Sequence, residues 1–340
     1  DMYWQATHIP ESYGGLGLGY VEVVAMMEQM GRHLLCSPFF STVCIGVNAL
    51  LVAGSEEQRS EWLGKICEGT TATVAFNGGA SRWDADCVTA TFSREGDDYR
   101  LSGDYRYVVD GHTADLLIVA AREAGSSAEQ GVELFLLPAN TAGVSRTWLP
   151  TMDQTRKQSS ITLDNVQLSA GSVLSTGVGG WSALSKVLDL AAIALAAEQV
   201  GGCQQLLDMT IAYTSERVQF NRTIASYQAV KHKAADMMLQ TEVARSAAYY
   251  AACVAQESLD GSDAGGALAE AASVAKSYCS DAYFSVAGDS LQLYGGVGFT
   301  WEYDVQLYFK RAKSSEQLLG HGAWHRERLA AGLLDGEAVT

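Results

Sequence analysis

The sequence predicts a mixed α and β fold that is mainly helical and divided into three domains. Apolar residues recur at helical spacing up to about residue 69, and short alternating segments rich in Val, Thr, Tyr and Leu follow. Beyond about residue 176 the chain is rich in Ala and Leu again. We therefore expect an N-terminal helical domain at 1–69, a middle antiparallel β-domain at 70–175 and a C-terminal four-helix bundle at 176–340.

The first domain opens with a glycine loop, 10-PESYGGLGLG-19, followed by the helical segments VEVVAMMEQMGRHLL and TVCIGVNALLVAG. In the middle domain the predicted strands include CVTATFS, DYRLSGDYRYVV, DLLIVAAR, VELFLLPA and SSITLDNVQL. The bundle helices are predicted at 181–217, 224–258, 264–291 and 303–334. The first and third are apolar around much of their circumference, as buried bundle helices are. The chain starts abruptly, and we expect the first domain to lack its beginning.

Composition and charge limit the classes of function. The 340 residues are 48% hydrophobic with only four prolines, which favours a folded chain over linkers or disorder. The formal net charge of −16 argues against nucleic-acid or anionic-membrane partners. The first residues lack the basic start and apolar core of a signal peptide, so the expected location is the cytoplasm. Seven cysteines without a C-x-x-C pair fit reduced thiols better than disulfides or a zinc site.

A glycine cluster, 292-QLYGGVGFTWEY-303, interrupts the helical region late in the chain. Glycine costs roughly 0.8–1 kcal/mol relative to alanine inside a helix. A cluster therefore indicates a sharp turn or a close approach of the backbone to a ligand. From the glycines alone, a plain loop between two helices is the favoured explanation.

Three motifs in order give the chain its resemblance to the acyl-CoA dehydrogenases, a family of FAD enzymes. PESYGGLGLG is similar to the family's N-terminal glycine loop. The stretch 217-RVQFNRTIASYQAVKHKAADM-237 resembles Arg-x-x-Phe-Gly-x-x-Ile…Gln, with Asn221 in place of the glycine. QLYGGVGFTWEY resembles Gln-x-x-Gly-Gly-x-Gly. The resemblance covers nearly the whole chain and implies an acyl-CoA dehydrogenase-like three-domain fold.

The resemblance also implies contacts with the FAD of a neighbouring subunit. In the family, residues at the positions of Arg217 and Gln228 contact that cofactor, and Phe220 packs against its adenosine end. Gln292 and the backbone at the glycine cluster would lie along the adenine and diphosphate. The implied cofactor-binding residues are Arg217, Phe220, Ile224, Gln228, Gln292, Gly295 and Gly296. Without the resemblance, Arg217, Phe220 and Ile224 fit an ordinary helix face at i, i+3 and i+7.

The chain departs from the family at the catalytic base. The family reaction removes an α proton with a Glu carboxylate and passes a hydride from the β carbon to the flavin. The two positions at which members carry this Glu are Leu319, before Gly320, and Ala191, before Ala192. Neither side chain accepts a proton, so no catalytic residue is predicted in this chain. Asp189, Glu198 and Glu316 lie nearby in sequence, but displacement by two to seven residues changes the helix face or turn.

A second departure lies in the β-domain. Where the family has Thr/Ser-Glu-Pro-x-Ala-Gly-Ser-Asp, this chain has 76-FNGGASRWD-84. Where the family has Trp-Ile-Thr-Asn-Gly against the flavin ring, it has 107-YVVDG-111, and Val109 replaces the hydroxyl donor. Phe76, Arg82 and Trp83 are bulky where small polar groups are expected. We therefore expect this subunit's own flavin pocket to be filled or dismantled.

Together the departures resemble the non-catalytic β subunit of an actinobacterial α2β2 acyl-CoA dehydrogenase. The resemblance implies shared FAD, a catalytic partner subunit that supplies the Glu, and an acyl-CoA substrate of the complex. By analogy the acyl chain is bulky, as in steroid side-chain β-oxidation. Two alternatives stay open, namely a homotetrameric dehydrogenase with a relocated base and a non-redox acyl-CoA-binding or scaffolding pseudoenzyme. His321 and His325 are four residues apart, but no third ligand stands out, and no metal is expected.

Overall fold

A computed structural model of the chain describes residues 3–79, 82–174, 179–262 and 267–335. Its N-terminal part is helical. After short 3₁₀ turns come α1 (Tyr20–Arg32), a π-helix (Phe40–Val47) continuing into α2 (Asn48–Ala53), and α3 (Glu56–Cys67). Ser55 caps α3 and forms a reciprocal capping box with Gln58, in which each side chain accepts from the backbone amide of the other residue.

The middle part is one seven-stranded sheet. Its strands are β1 (Ala72–Ala75), β2 (Thr91–Glu95), β3 (Asp98–Val109), β4 (Leu116–Glu123), β5 (Val132–Pro138), β6 (Val144–Leu149) and β7 (Gln158–Leu168). The order is β1-β4-β2-β3-β7-β6, with β5 on the other edge of β4. Most pairings are antiparallel, as predicted. However, β1 and β2 both pair with β4 in parallel, at its start and its end respectively.

The C-terminal part contains three long helices, α4 (Gly180–Glu216), α5 (Gln228–Leu259) and α6 (Ala267–Tyr294). Strands β8 (Val218–Gln219) and β9 (Arg222–Thr223) form a small hairpin between α4 and α5. The fourth predicted helix is broken into α7 (Val305–Gln317) and α8 (Gly322–Asp335). The break at 318–321 occurs where Leu319 and Gly320 both adopt positive φ angles, which a helix does not allow.

Helix α4 is the centre of the molecule and packs against α1, α5 and α6. A Cβ added at Gly31 would lie 2.0 Å from the carbonyl oxygen of Glu198, and one at Gly201 would lie 1.8 Å from that of Glu28. The absence of a side chain at both positions therefore lets α1 lie directly on α4. By length and composition α4 could cross a membrane, but 72% of its most apolar window is buried inside the fold, which is typical of a core helix.

The predicted order of helical, β and helical domains is thus confirmed. The domain boundaries themselves remain predictions. The sequence missed β1 and β6, and it did not indicate the parallel pairings because these depend on contacts distant along the chain.

Candidate functional site

One end of the bundle brings together two of the motifs. Here α4 ends, α5 begins and α6 ends, so the segments 217–228 and 292–301 lie at the same end of the molecule. The rings of Tyr213 and Tyr294 stack with centroids 4.1 Å apart, and the Tyr294 hydroxyl donates to the Met209 carbonyl at 3.1 Å. This stacking joins the ends of α4 and α6. We call the two segments together the bundle-end surface.

The hairpin β8–β9 presents Phe220 at its tip. Phe220 and Asn221 have φ angles of 54° and 64°, which is the pattern of a type I′ turn. Asn tolerates the left-handed region, so Asn221 can adopt the backbone conformation for which the family uses glycine. Phe220 is 89% exposed. Its left-handed backbone conformation is strained by about 1–3 kcal/mol, because a bulky side chain is disfavoured there. The interpretation of Arg217, Phe220 and Ile224 as a helix face is therefore wrong.

The polar members of the bundle-end surface are open to ligands. Arg217 caps the end of α4, is exposed, and forms no hydrogen bond or ion pair through its guanidinium with the residues that the structure describes. Gln228 begins α5 and is exposed, while Ile224 is half-buried in the 3₁₀ turn that precedes it. Unused guanidinium donors fit a phosphate group, which accepts several of them at once.

The glycine cluster forms a tight turn at the end of α6. Gly295 has a φ angle of 66°, and Cβ atoms added at Gly295 or Gly296 would have nothing within 4 Å. Gln292 is exposed on the last turn of α6. The turn thus requires one glycine for its conformation, and both glycines leave open space above the backbone. An extended nucleotide fits such a surface, and the residues present are compatible with the adenine and diphosphate part of FAD.

The two positions of the family base carry buried apolar side chains. Ala191 is fully buried within α4, and Leu319, with a φ angle of 59°, is 5% exposed in the loop between α7 and α8. Leu319 and Ala192 line one small pocket of about 90 Å³. Neither Ala191 nor Leu319 carries a group that could take a proton from a substrate carbon.

Two buried side chains fix the loop that carries Leu319. The Lys276 ammonium donates to the carbonyl oxygens of Gly320 at 2.9 Å and Glu316 at 3.2 Å. The ring of His325 is hydrogen-bonded to the carbonyl of Leu319 at 3.0 Å. Burial lowers the pKa of Lys276 to about 7. Lys276 was not predicted from the sequence, although it is a lone lysine in an Ala-rich helix.

The carboxylates near these positions are mostly engaged. Both oxygens of Asp189 accept from Arg328, at 2.6 and 2.9 Å. Glu316 accepts from Lys313 at 2.7 Å. Glu129 also lines the small pocket, and it lies in an exposed loop of the β-domain. A general base needs a lone pair directed at the substrate carbon, and the pairing with Arg328 leaves Asp189 poorly suited to that role.

A cavity of about 320 Å³ remains where the sequence predicted a filled or dismantled flavin-ring pocket. It lies between the β-domain and the α7–α8 loop. The pocket is not filled, because Phe76 and Trp83 pack against each other at a ring distance of 6.1 Å and form part of the wall. That the pocket is dismantled for a flavin ring stays a prediction. Val109 also lines the cavity and offers no hydroxyl to a flavin. We call this space the ring cavity.

A buried network of charges joins the β-domain to α4 and α7, and the sequence did not indicate it. The carboxylate of Glu198 accepts from Arg156 and, at 2.7 Å, from Arg311. Arg311 also donates to Asp153 at 2.9 Å and to Thr155 at 2.7 Å. The four charged side chains are almost completely buried. Glu198 is therefore a structural carboxylate and not a relocated base.

Two buried histidines predict loss of stability in acid. Burial lowers the pKa of His8 to about 4, and burial together with the nearby Lys276 charge lowers that of His325 to about 3. Below pH 6.5 the unfolded chain takes up protons at these rings that the folded chain does not, so stability present above pH 6.5 is lost as the pH falls. Between pH 7.5 and 5 each ring should lower the free energy of unfolding by about 2 kcal/mol.

Chemical denaturation at the two pH values tests this expectation. His325→Gln should reduce the loss of unfolding free energy between pH 7.5 and 5 by about 2 kcal/mol, which is the contribution of one ring. Replacing the exposed His232 with Gln should leave that loss unchanged. An unaltered pH dependence in His325→Gln would contradict the assignment of a neutral buried ring.

Comparison with known proteins shows the family of the chain. Residues 1–70 match the family profile "Acyl-CoA dehydrogenase, N-terminal domain", and residues 179–334 match "Acyl-CoA dehydrogenase, C-terminal domain". The chain is 31% identical over 324 residues to the acyl-CoA dehydrogenase IpdE2 of Mycolicibacterium smegmatis, covering 95% of this chain and 82% of the relative. The chain belongs to the acyl-CoA dehydrogenase family.

Solved structures of the family have the same fold as this acyl-CoA dehydrogenase chain. The Tcur3481-Tcur3483 steroid ACAD is 30% identical, with a TM-score of 0.85 over 98% of this chain and 86% of that one. The ChsE4-ChsE5 complex from Mycobacterium tuberculosis is 27% identical, with a TM-score of 0.87 over 99% and 86%. The predicted family and three-domain fold are thereby confirmed. The roles of the bundle-end residues toward FAD stay predictions.

Proposed function

We propose that this acyl-CoA dehydrogenase chain is a non-catalytic subunit that completes the FAD site of a catalytic partner. The observation that carries the proposal is the contrast between two regions of one chain. The bundle-end surface keeps a set of exposed groups suited to a nucleotide, while Ala191 and Leu319 occupy the positions of the base. The complex would oxidise an acyl-CoA thioester between its α and β carbons.

The partner would supply what this chain lacks. When bound, FAD provides the acceptor for the hydride that leaves the β carbon. On this chain, Arg217 and Gln228 would hold the phosphates and Phe220 would pack against the adenosine end. Gln292 and the open turn at Gly295 and Gly296 would lie along the nucleotide. Such an arrangement implies an α2β2 assembly with two working sites.

The names of two similar solved structures support this proposal. Two of the similar structures are named as pairs of different chains, and one of them is named a steroid ACAD. A bulky acyl chain of the steroid type is the corresponding proposal for the substrate here. We also propose that the complex works in the cytoplasm, which rests on the sequence alone.

A homotetrameric dehydrogenase with a relocated base is the second candidate. Glu129 favours it, because this carboxylate lines the small pocket next to Leu319 and has no described hydrogen-bond partner. Its exposed loop argues against it, since a base benefits from a fixed position close to the carbon acid. A scaffolding pseudoenzyme would not require the open nucleotide surface.

Flavin content tests the proposal directly. Purified alone, the chain should have no visible flavin absorbance and should not reduce an electron acceptor with any acyl-CoA. Co-expressed with its cognate dehydrogenase subunit, it should purify in a yellow, active complex. Flavin and activity in the lone chain, abolished by Glu129→Gln, would establish the homotetramer instead. A colourless chain that joins no complex would indicate the pseudoenzyme.

A further inference from the structure

We propose that the ring cavity binds an apolar carboxylate with an aryl or fused-ring body. The inference rests on the proposed function, because it requires that this subunit does not hold a flavin ring of its own. The cavity, of about 320 Å³, lies within the size range of small-molecule sites in proteins.

The wall of the cavity is suited to a flat apolar body. Phe76 and Trp83 form a tilted aromatic pair on one side, while Val109, Leu318 and Leu319 contribute aliphatic surface. Phe76, Val109, Leu318 and Leu319 are each less than 10% exposed. Aromatic and aliphatic groups fixed in this way bind a ring by contact and by exclusion of water.

The charge of the cavity selects an anion. Among the described residues that line it, the only charged or readily titratable side chains are Arg106 and His321, and no carboxylate is present. This is unusual in a chain with a net charge of −16. The Arg106 guanidinium forms no hydrogen bond or ion pair with a residue in the described ranges. A cleft lined by one sign of charge attracts ligands of the other, and guanidinium pairs well with carboxylate.

His321 adds a second donor. Its Nδ1 accepts from the backbone amide of Trp324 at 3.1 Å, so the neutral ring carries its proton on Nε2. Arg106 and His321 come from opposite walls, β3 and the α7–α8 loop. A ligand with one carboxylate therefore meets donors without competing acids.

The backbone at the cavity is strained on both walls. A bulge interrupts β3 between Tyr105 and Val108, and it carries Arg106 and Tyr107 to the cavity. Tyr107 has a φ angle of 60°, and Leu319 on the opposite wall has 59°. Bulges and left-handed non-glycine residues concentrate at functional sites, where they aim side chains. The strained backbone positions therefore lie at the same cavity as the Arg106 charge and the apolar wall.

Calorimetric titration of the purified chain with matched probes tests the proposal. Naphthalene-2-carboxylate should bind about 10-fold more tightly than the neutral 2-naphthamide. Arg106→Gln should bring the two affinities within about twofold, whereas Arg94→Gln, an exposed change on the same sheet, should preserve the preference. Ser314→Phe, which fills the cavity from its half-buried rim, should weaken both probes at least 10-fold.

Binding of neither probe would overturn the proposal, as would equal affinities in the unmodified chain or an Arg106→Gln variant that keeps the preference. FAD added to the lone chain is the separating control. Uptake of one FAD per chain would contradict the proposed function. Absence of both FAD and probe binding would contradict only the proposal of this ligand site.

Discussion

Arg217→Ala in the complex with the catalytic subunit is expected to weaken FAD binding about 30-fold. Arg217 is exposed at the end of α4 and has no ion-pair partner among the described residues, so its donors are available to the cofactor. Charge-assisted hydrogen bonds to a phosphate contribute about 1.5–3 kcal/mol, and about 2 kcal/mol corresponds to the expected change. Fluorescence titration of the flavin-stripped complex with FAD measures it.

Arg222→Ala is the matched control. Arg222 lies on the hairpin that follows Arg217, and its guanidinium stacks on the Tyr227 ring at 3.8 Å. Arg222→Ala removes one positive charge from the same end of the bundle. If FAD affinity depended only on the overall positive potential there, both variants would weaken FAD binding alike. Equal FAD affinity in Arg217→Ala and the unmodified complex would contradict the proposed role of Arg217.

Glu198→Gln is expected to lower the free energy of unfolding by about 3–5 kcal/mol, because it leaves the buried Arg156 without a counter-charge and Arg311 with Asp153 alone. Glu198 is the only described acid that contacts both Arg156 and Arg311, and all three side chains are 6% exposed or less. An amide at this position keeps the shape but presents hydrogen-bond donors to a guanidinium. Urea denaturation followed by circular dichroism measures the loss.

Asp208→Asn provides the comparison for an ordinary surface pair. Asp208 pairs with Arg32 at 2.7 Å, and the two side chains are 44% and 31% exposed. Such pairs contribute about 0–1 kcal/mol, so this variant should be nearly as stable as the unmodified chain. If Glu198→Gln were no more destabilising than Asp208→Asn, the network would not join the domains as described.

The fold could be predicted from sequence because it depends on patterns that are local. Apolar periodicity located α4 and α6, and alternation located β3 and β7 within a few residues. What the sequence missed depends on distant contacts. The parallel pairing of β1 with β4 joins segments about forty residues apart, and no local pattern indicates it.

The parts of the candidate site that lie within recognisable sequence motifs could be predicted. The motifs placed Arg217 and Gly295, and the structure brings their segments to one end of the bundle. The hairpin at Phe220 was not foreseen, since Asn221 concealed a turn that usually has glycine. The buried pairing of Arg156 with Glu198 was also missed, because charges that meet only in the folded chain leave no spacing signal. The ring cavity depends on side-chain packing and could not be judged from residue size alone.

Native mass spectrometry of the co-expressed complex tests the central claim most directly. The claim is that this chain completes a partner's cofactor site and holds none of its own. The expected result is a tetramer of two copies of this chain and two of the catalytic subunit with two bound FAD molecules. Four FAD molecules per tetramer, or FAD retained by this chain after the subunits are separated, would contradict it.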